Sequence, residues 1–189
     1  MDLQLIFNVP NIIDYLRIIL LFFAITQPDN IFSVSYIISS SLDFFDGHAA
    51  RAFNQCSVLG GCLDMIIDRI STVIIGLRML KKNIEYYRFV SFYILIDLLS
   101  HFVHFTVSCM TMSHHKNNTN VIMQIYYNKF VLFPICLLSE AFFISAIVLE
   151  KKHRIVNLLQ IVCWLKTFFH IVQLLSAIMT MSDIKMKLN

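Results

Sequence analysis

The sequence predicts an all-α, polytopic membrane protein with about six transmembrane helices, and composition, hydropathy and the spacing of polar turns support this fold class. Of the 189 residues, 58% are hydrophobic and 14% are charged, whereas about a quarter of a soluble domain is charged. The mean hydropathy of +0.71 excludes a disordered chain, which requires low hydrophobicity and high net charge. The net charge of +3 is scattered without a basic run, so a nucleic-acid partner is not predicted.

Six apolar segments follow one another along the chain, each about the 20 residues that a helix needs to cross a bilayer. Their approximate bounds are residues 11–26, 31–51, 58–80, 87–112, 128–149 and 155–181. Polar sequence separates them, at residues 27–30, 54–57, 81–83, 113–120 and 150–154. Because backbone groups in hydrocarbon must be hydrogen-bonded within their own segment, these spans are expected to be helices. No linker or repeat interrupts them, so one membrane domain is predicted over residues 1–189.

Four carboxylates are concentrated between the second and third segments. Asp43 and Asp46 are three residues apart, and Asp64 and Asp68 are four apart, so each pair shares one face of a helix. The connection between the two segments is too short for anything but an antiparallel turn. The two faces are therefore expected to meet and to bring the four carboxylates together near a membrane surface, where such groups are costly without a function.

A pair of divalent cations would explain this clustering, since four carboxylates at close range cannot all stay ionised without compensation. Ligands that are all oxygen favour Mg²⁺ or Mn²⁺ over zinc, and two such ions can clamp a pyrophosphate group. Gly47 and Gly60 lack side chains, so a ligand could approach the backbone there, and the Arg51 guanidinium could bind phosphate oxygens. The structural alternative is that the acids pair with Arg51 and Arg69 between helices.

The spacing of this cluster resembles a known family. The residues fit the pattern D-x2-D-G-x2-A-R-x8-G-x3-D-x3-D, the signature of the CDP-alcohol phosphatidyltransferases, which are six-helix membrane enzymes. Every fixed position matches: Asp43, Asp46, Gly47, Ala50, Arg51, Gly60, Asp64 and Asp68.

The resemblance implies a role for each motif residue. It implies that Asp43, Asp46, Asp64 and Asp68 hold two metal ions, and that Asp68 is also the proton acceptor for the attacking alcohol. It implies further that CDP-diacylglycerol contacts Gly47, Arg51 and Ser57, with backbone at Ala50 and Gly60 as further parts of the nucleotide site.

Within the family, the chain is most similar to the eukaryotic branch that uses inositol as acceptor. The supporting segments lie at residues 46–55, 63–72, 97–101, 115–116 and 126–129, with Glu140. This resemblance implies transfer of the phosphatidyl group of CDP-diacylglycerol to myo-inositol, with release of CMP. Candidates for the inositol pocket are Asp97, His101, Lys116 and Glu140, and also Lys166, which could instead pair with Glu140. His170 departs from the branch, in which a polar amide is expected.

The resemblance also implies where the protein resides and how it is oriented. It implies the endoplasmic reticulum, a homodimer, and an active site that faces the cytosol together with the N-terminus and residues 113–120. The positive charges oppose this orientation, since the following would lie on the other side: Lys81, Lys82, Arg88, Lys151, Lys152 and Arg154. We keep the family's orientation because the cytidine substrate is cytosolic. The glycosylation sequon at Asn117 is therefore predicted to be unmodified.

Two alternatives remain open at this point. Another family member could use glycerol phosphate, serine, choline or ethanolamine as the acceptor, although a phosphorylated acceptor would need more basic residues near the motif than Arg51, Arg69, Lys116 and Lys129 supply. A membrane transporter with an acidic ion site is an alternative of a different class. Such a transporter would not need glycines and an arginine at fixed offsets from the aspartates.

Overall fold

A computed structural model describes residues 3–111, 121–149 and 154–188, and in these ranges the chain is helical with no β-strand. The helices are α1 (Leu3–Ile6), α2 (Val9–Ile25), α3 (Asp29–Ala52), α4 (Val58–Lys82), a 3-10 turn (Ile84–Tyr86), α5 (Tyr87–Thr111), α6 (Val121–Tyr126), α7 (Lys129–Val148) and α8 (Arg154–Leu188). The all-α prediction is confirmed. The chain forms two compact units, Met1–Lys82 and Asn83–Asn189, and the single domain over residues 1–189 stays a prediction.

The first unit begins with a capped helix that carries polar residues on its buried face. The side chain of Asn8 accepts a hydrogen bond from the Asn11 N–H at 3.0 Å, and Pro10 lies in the first turn of α2, both of which favour helix initiation. The buried positions of α2 recur every three or four residues, as expected for one face of a helix. They are Pro10, Asn11, Asp14, Arg17, Leu21 and Ala24.

The connection between α3 and α4 is a tight turn that is tied to the start of α2. Asn54 has a φ of 54°, the left-handed conformation that Asn tolerates better than most residues. The Gln55 N–H donates to the Ala50 carbonyl at 2.8 Å, and the Gln55 side chain accepts from the Val9 N–H at 3.0 Å. At the other end of α4, Arg78 donates to Asp29 at 2.8 Å. The helices α3 and α4 are therefore antiparallel, as predicted.

The second unit has an aromatic core between α5, α7 and α8. The rings of Phe89 and Phe142 lie 5.5 Å apart, and those of Tyr93 and Phe143 lie 5.4 Å apart. A second cluster surrounds α6, where the Tyr126 ring stacks on Phe169 at 4.6 Å. Helix α6 falls between the predicted segments, and it lies against α7 and α8 through its buried Met123 and Tyr126.

Three helices in the described residues are long and apolar enough to cross a membrane: Ile84–Met110, Lys129–Val148 and Arg154–Asp183. The chain is thus an integral membrane protein, while the count of six spans stays a prediction. Helix α2 has 17 residues, which is short for a span. Helices α3 and α4 carry the aspartates and arginines of the motif, which lower their hydropathy.

Candidate active site

The four motif carboxylates converge on one guanidinium, that of Arg17 on α2. Its Nη2 atom lies 2.6 Å from Asp43 Oδ1 and 2.6 Å from Asp68 Oδ1. Its Nη1 atom lies 2.9 Å from Asp46 Oδ2 and 3.1 Å from Asp64 Oδ1. The predicted meeting of the two acidic faces is therefore observed, and α2 brings a cation to the point where they meet.

A fifth carboxylate completes the cluster. Asp14 lies one turn before Arg17 on α2 and accepts from its Nη1 at 3.1 Å. The register of α2 against α3 is fixed nearby, since the Ser39 hydroxyl donates to the Arg17 carbonyl at 3.3 Å. Three serines on the buried face of α3 occupy little volume, which allows the two helices to approach closely: Ser33, Ser35 and Ser39.

The cluster has a buried side and an exposed side. The side chains of Asp14 and Arg17 are 2% exposed, and that of Asp46 is 7% exposed. The side chains of Asp43, Asp64 and Asp68 are 40%, 46% and 33% exposed. A ligand can therefore approach the carboxylates of Asp43, Asp64 and Asp68, whereas Asp14 and Asp46 contact Arg17 on its buried side.

The donor set fits divalent cations. Five carboxylates surround Arg17, and Arg69 adds a second cation, 3.4 Å from Asp68 Oδ2, so acids exceed bases by three among these groups. Two sets of carboxylates offer oxygens that all lie within 4.8 Å of one another: Asp14, Asp46 and Asp64 in one, and Asp43, Asp64 and Asp68 in the other. Sites made only of oxygen suit Mg²⁺ or Mn²⁺. The excess of negative charge is what such ions would neutralise.

Among the described residues, Arg51 does not pair with the motif carboxylates, although the structural alternative required it to. Its exposed side chain covers Gly47, and its Nη2 atom lies 3.5 Å from His48 Nδ1. A Cβ atom at Gly47 would lie 3.5 Å from the Arg51 guanidinium, an ordinary contact. Arg51 is therefore placed on the surface beside the motif, where a phosphate could reach it.

Ser57 and Gly60 have structural partners at the start of α4. The Ser57 hydroxyl accepts from the Gly60 N–H at 3.0 Å, which caps the helix. A Cβ atom at Gly60 would lie 3.0 Å from Asn11 Oδ1, so glycine lets α2 and α4 approach. The contacts of Ser57, Gly60 and Ala50 with a nucleotide stay predictions beside these packing roles.

The predicted inositol residues that the structure describes lie in the second unit. Asp97 is fully buried, and its Oδ1 atom lies 3.7 Å from His101 Nδ1 and 3.4 Å from His170 Nδ1. His170 Nε2 in turn lies 3.4 Å from the Tyr126 hydroxyl. Lys166 is buried in α8, with its Nζ atom 6.0 Å from the centroid of the Tyr93 ring, and Glu140 is half-buried on α7.

Lys116 and the sequon at Asn117 lie outside the described residues, so their predicted roles are not tested by the structure.

Asp97, His101 and His170 form a compact group, in which one possible ligand atom from each residue lies within 4.8 Å of the other two. Thus His170, the departure from the expected amide, adjoins two of the predicted acceptor residues.

Comparison with known proteins decides the family. Residues 7–180 match the CDP-alcohol phosphatidyltransferase domain. The chain belongs to the CDP-alcohol phosphatidyltransferase family. This membership favours an enzyme over the ion transporter that the acidic cluster alone left open. No solved structure matches the chain.

Several relatives of this chain are named CDP-diacylglycerol–inositol 3-phosphatidyltransferase. The Drosophila melanogaster protein is 34% identical over 146 residues, which is 75% of this chain and 65% of the relative. The Candida albicans protein is 36% identical over 147 residues (72% and 63%). The human protein is 35% identical over 152 residues (75% and 70%). The chain therefore spans less than two thirds of the first two relatives.

Two residues of this site were not predicted from the sequence, namely Asp14 and Arg17. Both lie within the first apolar segment, three residues apart, and Asn11 precedes Asp14 by another three. Polar residues at this spacing share one helix face, and ionisable residues inside an apolar span generally mark a functional site. That signal was present in the sequence and could have joined α2 to the acidic cluster.

Proposed function

We propose that this chain transfers the phosphatidyl group of CDP-diacylglycerol to myo-inositol in a reaction that depends on Mg²⁺ or Mn²⁺. The observation that carries the proposal is the convergence of the four motif aspartates on one partly exposed point. The family supplies the class of reaction, and the names of the relatives supply the acceptor.

The proposed reaction is a displacement at phosphorus. An inositol hydroxyl oxygen forms a bond to the β-phosphorus of CDP-diacylglycerol, the bond from that phosphorus to the CMP oxygen breaks, and CMP leaves with the electron pair. The hydroxyl proton passes to the carboxylate of Asp68. A bound metal pair supplies neutralisation of the pyrophosphate and of the charge that develops on displacement. The side chains of the protein position the two substrates.

Asp68 has the exposure that a proton acceptor needs, with a side chain that is 33% accessible. Its two oxygens face two cations, Arg17 at 2.6 Å and Arg69 at 3.4 Å. A carboxylate between two guanidinium groups is a weak base because both favour its ionised form. The proposal therefore requires that one oxygen of Asp68 becomes available to the hydroxyl when the substrates bind.

The remaining residues have proposed roles in binding. Arg51 is proposed to contact the phosphates of CDP-diacylglycerol, with Gly47 and Ser57 beside them. Asp97, His101, Glu140 and Lys116 are proposed for the acceptor, where a polyol offers several hydroxyls to hydrogen-bond. A homodimer in the endoplasmic reticulum with its active site toward the cytosol completes the proposal.

The test is an assay of CMP release in detergent micelles. Purified protein is incubated with CDP-diacylglycerol and Mn²⁺ or Mg²⁺, together with inositol, glycerol 3-phosphate or serine in separate reactions. Release that requires inositol supports the proposed acceptor. Release that requires another alcohol keeps the family chemistry and overturns inositol, and release that persists in a chelator overturns the metal requirement.

A further inference from the structure

Arg17 contacts the same carboxylates that a metal ion would need as ligands. Its guanidinium contacts at least one oxygen donor in each of the two carboxylate sets that could hold a cation. A guanidinium and a divalent ion are both positive, so they repel each other when they share ligands at this range. Arg17 and a metal ion at this site therefore compete for the same carboxylates.

Arg17 also cannot neutralise the carboxylates by itself. It carries one positive charge and five N–H donors, whereas five carboxylates lie within 3.1 Å of its two terminal nitrogens. It can hold the aspartates together without a metal, although the carboxylates still outnumber the cationic groups. This arrangement suits a group that keeps the ligands in place and still leaves a site attractive to cations.

Asp14 distinguishes the buried side of this arrangement. It is outside the motif pattern, it is 2% exposed, and it accepts from Arg17 Nη1 at 3.1 Å on the same helix. Asp14 belongs to one of the two candidate donor sets, but it is far less exposed than Asp43, Asp64 and Asp68. If those carboxylates turn toward metal ions, Asp14 can still pair with Arg17. A buried arginine without such a partner would be costly, so Asp14 lowers the cost of releasing the motif aspartates.

We propose that Arg17 is an internal counter-cation of the metal site, which holds the motif aspartates in the metal-free protein and weakens divalent binding by competing for them, and that Asp14 retains Arg17 when metal enters. The inference rests on the proposed metal-dependent function. Arg17 and Asp14 are positioning residues here, since they act through Asp43, Asp46, Asp64 and Asp68.

The experiment measures Mn²⁺ affinity and thermal unfolding of the full chain in micelles. Free Mn²⁺ is followed by electron paramagnetic resonance for the wild type, Arg17→Gln and Arg17→Lys. We expect Arg17→Gln to bind Mn²⁺ at least about tenfold more tightly, because a competing positive charge is gone, and to unfold at a lower temperature in EDTA. Arg17→Lys keeps the charge and should stay near the wild-type affinity.

Arg78→Gln is the matched control. Arg78 is also largely buried in the first unit and also pairs with an aspartate, Asp29 at 2.8 Å, yet it lies at the opposite end of α4. The Arg78→Gln substitution should lower the unfolding temperature and leave Mn²⁺ affinity unchanged. A merely structural role for Arg17 predicts the same pattern for Arg17→Gln, and that result would overturn the inference.

Asp14→Asn keeps the inference testable if Arg17→Gln does not fold. We expect its Mn²⁺ affinity to fall severalfold, because Arg17 then has only the motif carboxylates to pair with. An affinity equal to or above that of the wild type contradicts the retaining role and overturns the inference. Absence of Mn²⁺ binding in the wild type and all variants overturns the metal site itself, which separates failure of the proposed function from failure of this inference.

Discussion

The two units each contain a cluster of ionisable groups, and the clusters are balanced in opposite ways. In the first unit five carboxylates surround Arg17, and three of them are at least one third exposed. In the second unit a single buried carboxylate, Asp97, lies between two imidazoles. The first cluster has more carboxylates than cationic groups and is partly exposed, so cations from solution can bind there. The second has one carboxylate within 3.7 Å of two imidazoles, so it has no such excess of acids.

In the proposed function, the first cluster would carry the chemistry and the second the recognition of the acceptor. An open site with excess charge can take up ions and a pyrophosphate, and it gains by neutralising them. In a largely buried cluster such as the second, polar groups contribute to a fixed geometry to the extent that they are hydrogen-bonded. We therefore expect substitutions in the first cluster to affect turnover and metal binding, and those in the second to affect stability and the acceptor.

Asp68→Asn should have the largest effect. The amide keeps the shape of the side chain but cannot take the proton, so the rate of CMP release should fall by about 10²–10⁴-fold. Elution as a folded species in size-exclusion chromatography checks that the variant is still intact. Asp183→Asn, an exposed position near the end of α8, serves as the matched control and should keep the wild-type rate. Turnover near the wild-type rate in Asp68→Asn would remove the proton-acceptor role.

Asp97→Asn should separate the two clusters. The half-buried imidazole of His101 and the buried imidazole of His170 lose a carboxylate partner, which should lower the free energy of unfolding by about 1–3 kcal/mol. Mn²⁺ affinity should be unchanged, whereas the KM for inositol should rise if the proposed acceptor role holds. The measurements are thermal unfolding and a Mn²⁺ titration against Asp64→Asn, which should lose Mn²⁺ binding. Loss of Mn²⁺ binding in Asp97→Asn would contradict the division of roles.

The sequence predicted one cluster far better than the other, for a physical reason. The spacing of Asp43, Asp46, Asp64 and Asp68 within two neighbouring helices determines their faces, and a short turn determines that those faces meet. Arg17 comes from another helix, and its place depends on how α2 packs on α3 and α4, which local spacing does not contain. The antiparallel turn was thus predictable. The polar spacing on α2 marked Arg17 as a candidate for a functional site, but not its position at the centre of the four carboxylates.

The second cluster was predicted only in part because its members come from distant helices. Asp97 and His101 are one turn apart on α5, so their proximity follows from helix geometry. His170 reaches them from α8, 73 positions after Asp97 in the sequence, and only tertiary packing brings it there. The departure at His170 was visible in the sequence, but its contact with Asp97 was not.

His170→Gln should have a smaller effect than Asp97→Asn. An amide can still hydrogen-bond with the Tyr126 hydroxyl, which lies 3.4 Å from His170 Nε2. The free energy of unfolding should therefore fall by about 1 kcal/mol or less. His170→Ala removes that partner and should cost about 1–3 kcal/mol. Thermal unfolding of the two variants compares them directly. Equal losses would show that the polar contact contributes little to the second cluster.

The smallest effect tests whether the close approach of α2 and α4 supports the first cluster. Gly60 and Gly61 are adjacent in the first turns of α4, but they differ in surroundings. A Cβ atom at Gly60 meets Asn11 Oδ1 at 3.0 Å, whereas at Gly61 it meets no atom within 4 Å. Asn11 is fully buried and donates to the Leu5 carbonyl at 2.8 Å, so it has little freedom to move away.

Gly61→Ala should therefore stabilise the protein by up to about 1 kcal/mol, since alanine loses less conformational entropy in a helix than glycine. Gly60→Ala has the same advantage in conformational entropy, but its Cβ atom must displace Asn11. The Gly60→Ala variant should therefore be less stable than Gly61→Ala. It should also tighten Mn²⁺ binding modestly, because α2 carries both Asn11 and Arg17, and a displaced Arg17 competes less for the motif carboxylates. Thermal unfolding and Mn²⁺ titration of the two variants give the comparison. If both behave alike, the approach of α2 to α4 at Gly60 is not what positions Arg17 among the carboxylates.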